Sequence, residues 1–584
     1  MKQGRSRKVP SIGSSKLPVW PARQRLTRAA LQVGLAFVPL VALAGPSLPP
    51  GASSYMEHSW MSALNAPYPE LSGLQLLSLL NGGIGPVIPT YELTPDLAGF
   101  LGTYNPGGGT SPSPTKTATN AFFASLGTNG RTCGTCHQPA SGMSINRNTI
   151  LARFIATAGQ DPLFAPVDGA DCPKSVPAGH TRPSYYGGRL GEGKDMVSAH
   201  SLLLNRGVFR IFLPVPATIP LTFGPNGPDP RSNKPTEFSV EVVNDPNGCN
   251  TDPVYAFSPT DPTTRVLSNY RRPLVSTNLK YVTTITAIPG FAGPGGNIMW
   301  DGREPTLSSQ AIDATLGHAQ AINPPSDAAT AQMVDFETYL FSAQSYDQMA
   351  GSLMGGGATG GPQALAAIAP AQAGPLTNTP VFSQFNAWSN VVGQSPDAAR
   401  KRSIYRGQQI YNTRQFTIAN IAGFNDAAGL NPNPFGTCGT CHSTLADGSD
   451  SFPNAQHALG VGGQGADLGG PAPARDLPIF KVTCDHPVFT DGSEFLGYGP
   501  DGKSRPIGFT VFVNDLGRAG VSGLCEDIGK FTVAPLRGLA SHPPYFHDGS
   551  AQSMMDVVNF YDQRFHIGYT PQDKQDLVNF LNAL

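Results

Sequence analysis

The sequence predicts a mainly α-helical protein of two similarly organised domains, with long loops and a small β-containing insertion. Three observations predict this. The block Thr-Cys-Gly-Thr-Cys-His occurs twice, at 132–137 and 437–442. Apolar residues recur at helical spacing, as in Met333, Phe336 and Leu340, or Leu577, Phe580, Leu581 and Leu584. Glycine (67) and proline (56) are abundant among 584 residues, so long loops must join the helices. Such a length suits roughly two to four domains. The net charge of −1 and the absence of a basic tract give no sign of nucleic-acid binding.

The chain opens with an expected export signal over 1–44. Lys2, Arg5, Arg7, Lys8, Arg23, Arg25 and Arg28 form an extended basic region. An apolar run from Ala29 to Leu43, interrupted by Pro39, follows it. Ala42-Leu43-Ala44 before Gly45 is a small-x-small cleavage site. The run is shorter than the ~20 residues of a membrane span, which favours cleavage.

Each repeated block contains C-x-x-C-H: Cys133, Cys136 and His137, then Cys438, Cys441 and His442. This is the attachment signature of a c-type haem. Two thiols three positions apart each form a thioether to one vinyl group of the same porphyrin. The following imidazole then ligates the iron. Such attachment happens outside the cytoplasm, so motif and leader agree on an exported, periplasmic location. Of eight cysteines, four remain: Cys172, Cys249, Cys484 and Cys525. Three pairings are open. Cys172–Cys249 with Cys484–Cys525 keeps each bridge beside its own haem motif.

Along the chain, 45–350 reads as an N-terminal domain, 351–379 as a Gly/Ala/Pro linker and 380–584 as a C-terminal domain. Residues 45–120 read as irregular apart from a short helix, Leu71 to Leu80. A helix from Ala121 to Leu126 leads into the first motif, and Met143 beyond it reads as packing. An insertion at about 208–295 holds two short strands, Arg210 to Leu213 and Phe238 to Val243. Trp300-Asp301-Gly302-Arg303 leads into a helix carrying Gln310, Ala314, His318 and Gln320. Ser326 caps a further helix expected from Ala328 to Ala343. The second domain starts with a helix near Ala398 to Tyr411. It ends with helices from Ser553 to Tyr561 and from Thr570, where Thr is the N-cap, Pro571 is N1 and Asp573 is N3.

The twin motifs, Trp300-Asp301-Gly302-Arg303 and the run Leu536–Ser550 (Leu-Arg-Gly-Leu-Ala-Ser-His-Pro-Pro-Tyr-Phe-His-Asp-Gly-Ser) resemble the bacterial di-haem cytochrome c peroxidases and their relative MauG. The likeness covers three blocks: around Cys133–His137, around Trp300–Gln310, and from Cys438 to the end. It implies a catalytic haem on His137, an electron-transfer haem on His442, and Trp300 carrying electrons between them. Gln310 matches the distal glutamine. Two departures stand out. The family's distal glutamate is replaced by Gln320, and His318 becomes the candidate acid/base or distal ligand. The peroxidases' Met ligand of the second iron is replaced by Tyr561, as in MauG. Met554, on the same helical face, and His566 are rivals for that role, since the distantly related rubber oxygenases use two histidines there. The family's interdomain calcium implies Asn205 and the carbonyls of His542 and Pro544. His200 lies close enough in sequence to approach the first haem. Asp301 and Arg303 are expected to hold the loop and a haem propionate. The implied activity is reduction of hydrogen peroxide with electrons from a cytochrome c or cupredoxin. The alternatives are an oxidase or oxygenase using peroxide or dioxygen on an organic or protein substrate, and a plain electron-transfer cytochrome.

Overall fold

The computed structural model describes residues 84–584 except 177–193, 222, 225–226, 230, 257–264, 284–297, 372–378, 426–434, 452–454, 464–469 and 486–507. The expected leader and the helix expected from Leu71 to Leu80 lie outside the described residues.

Strands β1 (Tyr91–Pro95) and β2 (Gly99–Tyr104) form an antiparallel hairpin. Asp96 makes the turn by accepting the N–H groups of Ala98 and Gly99. In the expected insertion, β3 (Phe209–Pro214) and β4 (Phe238–Asn244) appear close to where alternation predicts them. β3 pairs with β5 (Val266–Arg271). β6 (Phe341–Asp347) and β7 (Gly351–Ser352) extend the first hairpin into a four-stranded sheet ordered β7-β6-β2-β1. β8 (Ile479–Cys484) takes β4 on one edge and β9 (Thr510–Val513) on the other. The insertion is therefore stitched to the C-terminal half through β4.

These sheets correct the expectation of a mainly α-helical chain. The described residues mix helix and strand. The strands escaped notice for a physical reason. β5 is buried at every position, and all of β6 except Tyr346 is buried. A strand covered on both faces has no period-two pattern. The helix expected to reach Ala343 accordingly stops at Thr338.

The main helices are α1 (Cys133–Cys136), α2 (Arg147–Thr157), α3 (Ser201–Arg206), α4 (Leu307–Gly317), α5 (Asp327–Thr338), α6 (Pro396–Thr413), α7 (Met554–Phe565) and α8 (Pro571–Leu581). Local chemistry starts them. Capping boxes pair Thr306 with Ser309, Ser553 with Asp556 and Thr570 with Asp573. The expected helix from Ala121 is only a 3₁₀ turn, Ala121–Phe123. Within the segment read as a linker lie β7 and a short helix, Pro362–Ala366. Both expected disulfides form, Cys172–Cys249 and Cys484–Cys525. No helix among the described residues is long and apolar enough to cross a membrane.

Helices α6 and α8 pack closely because Gly407 has no side chain. A Cβ there would lie 2.1 Å from the carbonyl oxygen of Asp576 and 2.5 Å from the Cβ of Phe580. Close by, Asp576 accepts from Ser403 and Arg406. Ile404, Tyr411, Phe580 and Leu584 complete a buried core that backs the second C-x-x-C-H motif. Gly407→Ala is expected to cost about 1–3 kcal/mol through overpacking. Chemical denaturation measures it, and an unchanged midpoint would contradict the packing described.

Candidate functional site

The two repeated blocks fold alike because their threonines act alike. The backbone N–H of Thr132 donates to Thr135 Oγ1 at 2.9 Å, and that of Thr437 donates to Thr440 Oγ1 at 2.9 Å. This holds each tight turn open toward a cavity. The four motif cysteines are not in disulfides. Cys133, Cys136 and His137 line the first cavity; Cys438, Cys441 and His442 line the second.

Each histidine is held by its inner nitrogen. His137 Nδ1 lies 3.0 Å from the carbonyl of Met143 and 2.9 Å from Ser276 Oγ. Met143, itself buried, thus acts through its backbone and by packing. His442 Nδ1 lies 2.6 Å from the carbonyl of Gly448. Donation from Nδ1 leaves the Nε2 lone pair available as a ligand. Burial pushes His137 down to about 4 and lowers His442 as well, so both rings are neutral near pH 7. Two thiols and one neutral imidazole in an apolar cavity are a donor set that fits a haem.

The first cavity takes one wall from α4, with Gln310, Ala311, Ala314 and Thr315, then His318 at its C-cap. Gln310 and His318 are therefore brought together. Gln320 lies past the helix end with φ 56° and is not in the lining. Three lining residues were not foreseen. Asp168 Oδ2 accepts from His318 Nδ1 at 2.8 Å and from Arg131 at 2.9 Å. Arg131 also donates to the carbonyls of Pro162, Leu163 and Ala165, so the carboxylate is rigidly mounted. Glu337, on α5, is buried against the cavity near Cys133, and desolvation raises it to about 8. His200 does not approach the cavity. It is fully buried beside Phe154 and Phe164, with its ring nitrogens on the carbonyls of Met196 and Phe164.

The second cavity takes a wall from α7, with Met554, Val557, Val558 and Tyr561. Burial raises the Tyr561 phenol. His566 is exposed at the left-handed C-cap of α7 and does not line the cavity. Sequence reading also missed His457 on the cavity wall, whose Nε2 lies 2.9 Å from Asp450.

One wall serves both cavities: Arg272 to Val275, Trp300 and Thr532 to Pro535. Trp300 Nε1 donates to the carbonyl of Arg272 at 2.7 Å, and its ring meets the edge of His547 at 6.1 Å. His547 in turn stacks on Phe531 at 3.8 Å. Behind Trp300, Arg271 donates to Asp515 at 2.6 and 2.8 Å and to Asp301 at 2.6 Å, with all three side chains buried. Arg303 lines the first cavity and also donates to Asp301 at 3.0 Å.

The residues expected to hold calcium lie in different settings. The Asn205 side chain is exposed. The His542 carbonyl accepts from the Arg272 guanidinium at 2.9 Å. Pro544 lines the second cavity. Among the described residues no cluster of three His, Cys, Asp or Glu side chains is suited to a metal ion.

Over 119 residues the chain is 31% identical to the cytochrome-c peroxidase IdrP1 of Pseudomonas sp. (strain SCT). The likeness is to a cytochrome-c peroxidase. It covers 18% of this chain and 31% of that protein, so the chain matches less than a third of its relative's length. No family model matches the chain.

Glu337 makes the first cavity sensitive to pH. Its carboxyl binds its proton more tightly in the folded protein (about 8) than at its ordinary value of 4.5. Stability is therefore expected to fall as pH rises through that window, because the folded state holds the extra proton. Glu337→Gln should remove this slope and gain most, relative to the parent, at pH 8 and above. Denaturant unfolding from pH 5 to 9 measures it. Parallel curves for the two proteins would contradict the assignment.

Proposed function

We propose that this protein is an exported di-haem c-type oxidoreductase that reduces hydrogen peroxide with electrons from a small redox protein, a cytochrome c or cupredoxin. One observation carries the reading: two cavities, each with a C-x-x-C-H motif in its wall, lie on either side of Trp300. Haem bound through Cys133 and Cys136, and through Cys438 and Cys441, supplies a redox-active iron at each site. His137 and His442 would ligate the two irons, each imidazole oriented by a backbone carbonyl at its Nδ1.

Peroxide chemistry belongs to the first cavity, where polar side chains gather. The Gln310 amide donates a hydrogen bond to bound peroxide. His318, with Asp168 accepting its Nδ1–H, offers the Nε2 lone pair to one peroxide proton and returns it to the departing oxygen. Thus His318 takes over the work of the glutamate replaced by Gln320. Trp300 is the aromatic bridge through which electrons pass from the second cavity to the first.

Tyr561 favours a second reading. A phenolate ligand stabilises higher oxidation states. The alternative is therefore an oxidase or oxygenase that uses peroxide or dioxygen against an organic or protein substrate. Met554 remains the rival ligand on the same wall.

Steady-state peroxide consumption with reduced cytochrome c tests the first reading. Turnover is expected, with His318→Gln lowering kcat/KM for peroxide by roughly 100-fold or more. Asp168→Asn should lower it less and shift the pH profile. A His318→Gln enzyme of full activity would remove His318 from the mechanism. Oxidation of an organic or protein substrate without cytochrome c turnover would select the second reading. Tyr561→Phe is expected to change the second haem's optical spectrum alone, and an unchanged spectrum would exclude Tyr561 as a ligand.

A further inference from the structure

Arg272 is an unusual residue for the middle of a protein. It is 4% exposed, and among the described residues no carboxylate accepts from it. Its partners are instead backbone carbonyls from three separate segments. NH2 donates to Ile145 at 2.6 Å and His542 at 2.9 Å; NH1 donates to Arg206 at 3.3 Å and Gly207 at 3.4 Å. Ile145 follows the first haem motif, Arg206 and Gly207 end α3, and His542 belongs to the C-terminal run.

The cage is built around the guanidinium. Gly207 has φ 63°, and a Cβ there would lie 2.2 Å from Arg272 NH1. Only glycine allows both the left-handed turn that ends α3 and the approach of the guanidinium. The backbone of Arg272 is engaged as well. Its N–H donates to the His547 carbonyl at 2.7 Å, and its carbonyl accepts from Trp300. Burial without an acidic partner pushes the guanidinium down to about 9, so it remains cationic at neutral pH.

A ring of carbonyl oxygens is what a hard cation such as Ca²⁺ binds. Here one of the carbonyls assigned to that ion by resemblance, that of His542, accepts from the guanidinium instead. We propose that the Arg272 guanidinium is a built-in cation that replaces calcium in this protein. It ties the first-motif segment to the C-terminal segment and fixes one positive charge in the wall that the two cavities share. The tie is independent of the proposed peroxidase reading; the effect of the charge on two haems rests on it.

The guanidinium cannot be chelated, which makes the proposal testable on the holoprotein. Protein purified without added calcium should contain far less than one calcium per chain. EGTA should leave its melting temperature and optical spectrum unchanged, and calcium chloride should not raise the melting temperature. Arg272→Met should melt lower by roughly 5 °C or more and should lower both haem midpoint potentials. Arg272→Lys should keep the potentials closer to the parent while losing part of the stability. Stoichiometric calcium whose removal by EGTA lowers the melting temperature would overturn the proposal. So would an Arg272→Met protein with parental melting temperature and potentials. The calcium and melting measurements hold whether or not peroxide is the substrate, so failure here is distinguishable from failure of the peroxidase reading.

Discussion

The fork from Arg271 to Asp515 and Asp301 is the constraint on which the site depends. All three side chains are buried, and the pair distances are 2.6 Å. Removing one partner of such a group typically costs about 3–5 kcal/mol, because a charge is left without compensation. The fork fastens the end of β5 to the loop carrying Trp300 and to the segment after β9. Phe531 lies under the same guanidinium, with its centroid 5.9 Å away, and carries His547 on its ring. Trp300, His547 and Arg272 are thus held in register by one neighbour. This fork braces the wall between the cavities and so preserves the spacing of whatever they hold.

The two motifs are nearly identical, yet their surroundings are not. Both present a neutral imidazole fixed through Nδ1. Beyond that, α4 gives the first cavity an amide and a carboxylate-held histidine, while α7 gives the second a phenol and a thioether. The first is equipped to handle protons. The second offers side chains that can complete the coordination of an iron. This asymmetry, arising from two helices far apart in the chain, is the physical basis of the proposed division of labour between two similar sites.

Much of the site was legible in the sequence because it is written in local patterns. The C-x-x-C-H blocks, the caps of α7 and α8, and Trp300 with Gln310 and His318 all depend on residues close in the chain. What was missed depends on residues far apart. Asp168 precedes His318 by 150 positions, and Arg271 meets Asp515 across 244. Glu337 looks like an ordinary helix-surface acid until the cavity is seen beside it. The buried strands β5 and β6 carry no alternation, so a mixed fold read as mainly α-helical. The calcium expectation rests largely on backbone carbonyls, and carbonyl ligands leave little trace in a sequence.

The central proposal is that one shared wall separates two unequal haems. A reductive titration of the full-length protein, followed by optical and EPR spectroscopy, tests it most directly. The account predicts two components at separate potentials, one with an open coordination position and one without, and a populated half-reduced form. Two identical components titrating together, or a single haem per chain, would contradict it.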